Sequence, residues 1–389
     1  MDSQAQHNKR ERFIGYVLNF LFTLAITIPA YANSTFIARW TGEEWLGVLY
    51  AFAYVITLVG FSYLPTALMR LGNYRVLSVM FVLEFLSLVG LALSPSLWLI
   101  ALSFIAGAVA VAIANANLDI FVENFSTDQA AGVIRGVFNT SSNLAMAVSP
   151  LLAGLILRVN SYSTMYLVSA AILIPTYFIV RRYVRDFNDP EYKKIDLWAT
   201  AKQIFSIPDL RNVFMSDFIL QFFYAWMVIY TPLYLHNNVG FSWTVIGVIL
   251  SIMLVPFLFI EIPLGLLADS RFGEKEAMTI GLIIMGVSTG AIAYINTHSV
   301  VTWTILLFIT RIGASMLESM GETYFFKKVD SSKAHLIGSW HTLRPFAYVI
   351  SPIIASAFLF FFDLKYIFLL LGFIILYGVR YSLALKDTR

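Results

Sequence analysis

Charged and polar residues recur at helical spacing inside long apolar stretches of this sequence, and at such positions an ionisable group marks a binding or proton-relay site. In the stretch near residue 310, Thr304, Phe308, Arg311, Ser315, Glu318 and Glu322 follow steps of three and four and so share one helical face. His341, Arg344, Tyr348, Ser351 and Ala355 do the same in the next stretch. Antiparallel helices would bring Glu318 and Glu322 to the depth of Arg344 and His341, either as a gating ion cluster or as a structural pair fastening two helices. Arg344 is therefore expected within direct or water-bridged reach of Glu318 or Glu322. Asp217, Gln221, Tyr224, Val228 and Thr231 share a face of a third stretch. Asp119, Glu123 and Arg135 form the equivalent set nearer the N-terminus, with Asn139 and Ser142 where the later set has His341 and Arg344. Asn19, Thr23, Thr27 and Ala30 make a neutral polar stripe, matched by Asn115 and Asn117. Glu84 and Glu261 read as buried acids with structural roles.

Other chemistries are excluded by what is missing. With no cysteine, disulfides, thiolate nucleophiles and thiolate metal sites are all ruled out. The five histidines have no ligand spacing, and no phosphate-binding G-x4-G-K-[ST] loop is present, so neither a metal, a cofactor nor ATP drive is expected. The net charge of +3 gives no footing for a nucleic-acid partner.

The elements that position these residues are transmembrane helices. Hydrophobic residues make up 59% of the 389-residue chain and charged residues 13%, a balance that cannot cover a soluble surface. The apolar residues fall into twelve stretches long enough to cross a bilayer, which predicts an all-α polytopic membrane protein. Residues 1–12 are polar and lead into an apolar segment too long for a signal-peptide core, so the first helix is expected to be retained. With both termini placed in the cytoplasm, only Arg39, Arg158 and Lys365 fall outside, while Arg311 and Arg344 lie within helices. The charged segment 182–211 then separates residues 1–181 from 212–389, two halves of six helices each. Within it, Ile195, Trp198, Ile204 and Phe205 fit the apolar face of a short surface helix, though a merely solvated linker fits as well.

The halves repeat each other about 200 residues apart. Ile28-Pro29-Ala30-Tyr31 answers Thr231-Pro232-Leu233-Tyr234, and Leu46-Gly47-Val48-Leu49 answers Ile246-Gly247-Val248-Ile249. Gly136, Asn139, Ala145, Ser149 and Pro150 answer Gly338, His341, Ala347, Ser351 and Pro352. Six helices per half make the repeat parallel, a plan of secondary transporters whose binding site lies between halves near the midplane.

The loop Gly265-Leu266-Leu267-Ala268-Asp269-Ser270-Arg271-Phe272-Gly273-Glu274-Lys275 resembles motif A of the major facilitator superfamily, G-x-L-A-D-x-x-G-[RE]-[RK]. The likeness extends over the whole chain through the helix count, the linker and the repeat. It implies a twelve-helix fold of two pseudo-symmetric bundles, with Gly265, Asp269, Arg271 and Gly273 in a cytoplasmic gate alongside Glu123, Arg135 and Glu322. The first-half counterpart, Pro65 to Arg75, keeps Arg70, Gly72 and Arg75 but has no acidic residue. Gly136, Ala145, Ser149-Pro150 and Ala153-Gly154 are similar in spacing to motif C of the drug/proton antiporters, and the repeat of that layout at Gly338 is also what helix packing alone would give. In this family helices one, four, seven and ten line the cavity, which implies a substrate and proton pathway of Asp217, Gln221, Tyr224, Asn19, Thr23, Arg311, Glu318, Arg344, His341 and Asp119. Trp226, Tyr230 and Phe223 would add aromatic surface to that cavity. The expectation is a plasma-membrane secondary transporter, not an enzyme, monomeric in the lipid bilayer, exporting small amphipathic molecules in exchange for protons. Uptake of a sugar-like nutrient and a non-transporting ligand-binding membrane protein are the alternatives.

Overall fold

The computed structural model describes residues 2–123, 131–185, 187, 189–192, 197–260, 273–329, 340 and 342–386. Its elements are α1 (Asp2–Thr41), α2 (Glu43–Leu71), α3 (Asn73–Leu93), α4 (Leu97–Glu123), α5 (Ala131–Val159), α6 (Tyr162–Tyr183), α7 (Leu197–Ser206) and α8 (Pro208–Asn237). After these come α9 (Trp243–Met253), α10 (Pro256–Phe259), α11 (Glu274–Ala291), α12 (Val300–Lys328), α13 (Leu343–Leu359) and α14 (Tyr366–Leu383). Among the described residues ten helices are long and apolar enough to cross a membrane, and Trp243–Phe259 and Leu343–Leu359 are shorter apolar helices. The eighth predicted stretch, 243–267, is interrupted in the structure: α9 stops at Met253 and a short helix restarts at Pro256, whose missing amide hydrogen and ring clash with the preceding turn favour a kink or break there. The short linker helix is present as α7, with Ile204 buried and Phe205 exposed. Ile195 and the Trp198 side chain lie outside the described residues.

The chain divides into two compact units. One comprises Met1–Trp40 and Phe52–Lys194, the other Thr41–Ala51 and Ile195–Arg389. In the first, Asn19 of α1 donates from Nδ2 to the Phe138 carbonyl (2.9 Å) and to the hydroxyls of Ser141 (3.0 Å) and Ser142 (2.6 Å) of α5. Higher on the same pair, Thr27 and Ser149 share a 2.6 Å hydrogen bond. The helices α3 and α4 meet through small residues, Gly90 against Ser103 and Gly107 against Ser87, and Ser87 also donates to the Ser103 carbonyl (2.7 Å). Glu84 is buried at this crossing.

The second unit is built around α8, 72% of whose apolar window is buried. Its indole at Trp226 donates to the Ser351 carbonyl of α13 (2.7 Å), and Ile219 fills the space beside Gly378 of α14. Glycines let α11 and α12 touch backbone to backbone: a Cβ on Gly281 would lie 2.8 Å from the Gly313 oxygen, and one on Gly313 would lie 2.5 Å from that of Gly281. Such small-residue contacts are how helices associate where lipid offers no hydrophobic drive. Gly281→Val or Gly313→Val is expected to cost ~1–3 kcal/mol through overpacking, read as a lower thermal unfolding midpoint in detergent. Gly136→Ala, where a Cβ meets nothing within 4 Å, should leave the midpoint unchanged or raise it.

Candidate functional site

The charged face of α12 meets the polar face of α8. The Tyr224 hydroxyl donates to Glu318 Oε2 at 2.7 Å, across 94 residues of sequence. Two turns earlier on α8, Asp217 is 7% exposed and its Oδ1 accepts a hydrogen bond from Gln221 Nε2 at 3.4 Å. Asp217 lies close enough to Glu318 and Glu322 to feel both charges, and Tyr224 lies within the field of Arg311, Asp217 and Glu318. Arg311 is 1% exposed, its guanidinium 4.7 Å from the Phe223 ring centroid and 5.8 Å from that of Tyr224. Three carboxylates and one arginine thus share a largely buried cluster with one phenol and one amide. A cation over an aromatic face in a desolvated setting is held by the ring quadrupole, which accounts for the guanidinium being stacked on Phe223.

Five residues assigned to one pathway by sequence, Asp217, Gln221, Tyr224, Arg311 and Glu318, are together here, and Glu322, assigned to the gate, joins them electrostatically. Arg344 is exposed, its guanidinium 5.8 Å from the Tyr348 ring centroid. Phe223, Trp226 and Tyr230 are fully buried packing residues, so the aromatic lining expected of the seventh helix reduces to Tyr224 on its partly exposed face. In the first unit Asn19 and Thr23 are buried, Asn19 spending its amide on α5, and Asp119 is exposed. Gly265, Asp269, Arg271 and His341, and the side chains of Glu123 and Arg135, lie outside the described residues, as does Glu261.

At one end of each unit the structure adds contacts that sequence reasoning did not supply. Gly273, assigned to the gate by sequence, is the N-cap of α11, and the next residue, Glu274, is buried and ion-paired with Lys327 of α12. Asp209, in the first turn of α8, pairs with Lys328 (3.3 Å) and accepts from the Lys386 amide (3.3 Å). In the first unit the loop before α3 lacks an acid of its own, and a linker residue supplies one. Asp189 Oδ1 accepts from the Asn73 amide (2.8 Å) and from the Tyr192 hydroxyl (2.6 Å). Gly72, at φ +76°, permits this approach: a Cβ there would lie 2.5 Å from Asp189 Oδ2. Burial, and then the hydrogen bond to Asp189, hold the Tyr192 phenol above its usual range, so it stays a donor at physiological pH. Only the sequence separation of 116 residues hid this contact.

Tyr224→Phe removes the hydroxyl that donates to Glu318 and is expected to cost about 1–3 kcal/mol of stability, with a double-mutant cycle against Glu318→Gln showing the coupling. Asp189→Ala should cost ~0.5–2 kcal/mol, as other lost caps do, and speed proteolysis of the 187–192 segment.

The model of the Major Facilitator Superfamily matches this sequence over residues 13–253 and 218–385. No curated protein sequence matches it. Among solved structures, a POT family transporter in complex with thioalcohol conjugated peptide superposes with a TM-score of 0.77 at 14% identity, over 96% of this chain and 95% of the other. A POT family transporter in complex with 5-aminolevulinic acid gives 0.78 at 13% identity, with the same coverage. At such identities the likeness is one of fold, and it agrees with the all-helical, twelve-helix reading. With both halves of the sequence matched by one family and the fold shared end to end, the chain belongs to the Major Facilitator Superfamily.

Proposed function

We propose that this protein is an alternating-access secondary transporter that exports small amphipathic organic molecules in exchange for protons, with Asp217 as the coupling carboxylate. The observation that carries the reading is the cluster itself: Asp217, 7% exposed, shares a field with Glu318 and Glu322 on a second helix, beside the Tyr224 hydroxyl. A carboxylate in such a setting takes up a proton when neighbouring negative charge and low dielectric prevail, and releases it when water enters. The drug/proton-antiporter spacing around Ser149-Pro150 favours the outward direction. The arginine and lysine asymmetry supports placing both termini in the cytoplasm, and the plasma membrane is the site this reading assigns.

A second reading is uptake of small zwitterions. It is favoured by the presence of both signs of charge in one cluster, Arg311 with the three carboxylates, and by the ligands of the two structurally similar transporters, a conjugated peptide and 5-aminolevulinic acid.

Purified protein in liposomes under an imposed pH gradient separates the readings. Export predicts proton-driven movement of an amphipathic cation such as ethidium, and uptake predicts movement of dialanine. In either case Asp217→Asn should abolish accumulation against a gradient while downhill exchange continues. Uphill accumulation by the variant with an unchanged pH profile would remove Asp217 from the mechanism, and absence of any flux in the wild type would leave a binding protein.

A further inference from the structure

The end of the first unit that carries Asp189 holds a cavity of about 580 Å³, separate from the carboxylate cluster. Its walls include Arg70 in the last turn of α2, Arg75 in the first turn of α3 and Arg185 just beyond α6. All three arginines are exposed, and none is ion-paired with a described residue. Two acids also line the space. One of them, Asp189, already accepts two hydrogen bonds at the start of α3, and the other is Glu191. The sequence gives this loop no acid of its own to neutralise Arg70 and Arg75, because the carboxylate there comes from the linker and points at the Asn73 amide. The cavity is thus lined by three arginines from at or near the ends of three helices, with Tyr74 among its lining residues.

We propose that this cavity binds a phosphate group, carried either by an anionic phospholipid or by a soluble phosphate. Guanidinium groups match phosphate oxygens in bidentate geometry, and three of them from different elements satisfy a tetrahedral anion better than a planar carboxylate. The volume falls in the range of small-ligand pockets and exceeds what one phosphate needs. Position favours the lipid source: the three arginines sit where membrane-spanning helices end, on the side that the basic residues assign to the cytoplasm, and basic pockets at that level hold anionic headgroups. The assignment does not depend on what the protein transports.

The test uses the full chain and two probes. Protein is reconstituted in bilayers of phosphatidylcholine and phosphatidylglycerol at three to one, extracted into neutral detergent, and its retained lipids are identified by native mass spectrometry. Wild type should retain phosphatidylglycerol selectively, and Arg70→Gln/Arg75→Gln/Arg185→Gln should lose that preference by about a hundredfold in affinity. Arg70→Lys/Arg75→Lys/Arg185→Lys, which keeps the charge, should retain part of it. In the second arm inorganic phosphate is titrated during thermal unfolding; a rise in the wild-type midpoint that the triple glutamine variant lacks assigns the site to a soluble phosphate. Arg185→Gln alone, beyond the helix end, repeats both arms should the triple variant fail to fold. Equal phosphatidylglycerol retention by wild type and variants, with no phosphate effect on either, overturns the proposal.

Discussion

An ionised group inside a hydrocarbon slab must find its partners within the protein, and the second unit is arranged around that requirement. Arg311 cannot reach bulk water from where it lies, 1% exposed on a helix long enough to span. It lies against the faces of Phe223 and Tyr224, while the Tyr224 hydroxyl donates a hydrogen bond to Glu318 on the helix that carries the arginine. This places demands on helices that bear no charge. The rotation of α12 must be fixed, and the reciprocal contact of Gly281 and Gly313 fixes it against α11. The depth of α8 must be fixed, and Trp226 against Ser351 and Ile219 against Gly378 do so. Truncating one partner of a buried charged network leaves the others uncompensated, a cost of roughly 3–5 kcal/mol, which exceeds what any one packing contact contributes. The frame is consequently built to the cluster's tolerance.

Between α1 and α5 the first unit answers the same physics with neutral groups. Where the repeat has His341 and Arg344 in the second half, the first has Asn139 and Ser142, and Ser142 serves as an acceptor for Asn19. A buried amide with its donors satisfied fastens α1 to α5 without the desolvation penalty of an ion. Thr27 with Ser149 repeats the device one turn and more away.

Helical period made much of this legible. Steps of three and four put Asp217 with Gln221 and Tyr224, and Arg311 with Glu318, and the structure joins both sets. What period cannot supply is the rotation of a face relative to its neighbours. Phe223 and Tyr224 are adjacent in sequence yet differ in role, one wholly buried under the guanidinium and the other a donor on the partly exposed face. Trp226 and Tyr230, read as cavity lining, instead fill the packing between helices. Arg344 lies near the start of α13, exposed, with its guanidinium over the Tyr348 ring. The break at Pro256 was equally open to view in the residue type, and only the uninterrupted hydropathy of that stretch concealed it.

The loop before α3 shows how a sequence motif can be lost while its physics is kept. Each unit places carboxylates at helix N-termini, where the exposed amides and the helix dipole stabilise negative charge. In the second unit they are local: Asp209 in the first turn of α8 and Glu274 in that of α11, paired with Lys328 and Lys327 at the end of α12. In the first unit the local acid is absent, and Asp189 reaches back from the linker to the same kind of amide. The substitution is demanding, since it requires a glycine at φ +76° with no Cβ in the carboxylate's path and a half-buried phenol to orient it. It also has a consequence that a local acid would not have. Asp189 faces the amide of Asn73, which leaves Arg70 and Arg75 of the same loop directed at a cavity with no loop carboxylate beside them. A charge moved from the loop to the linker therefore keeps the helix capped, fastens the linker to the unit, and frees two arginines for another anion.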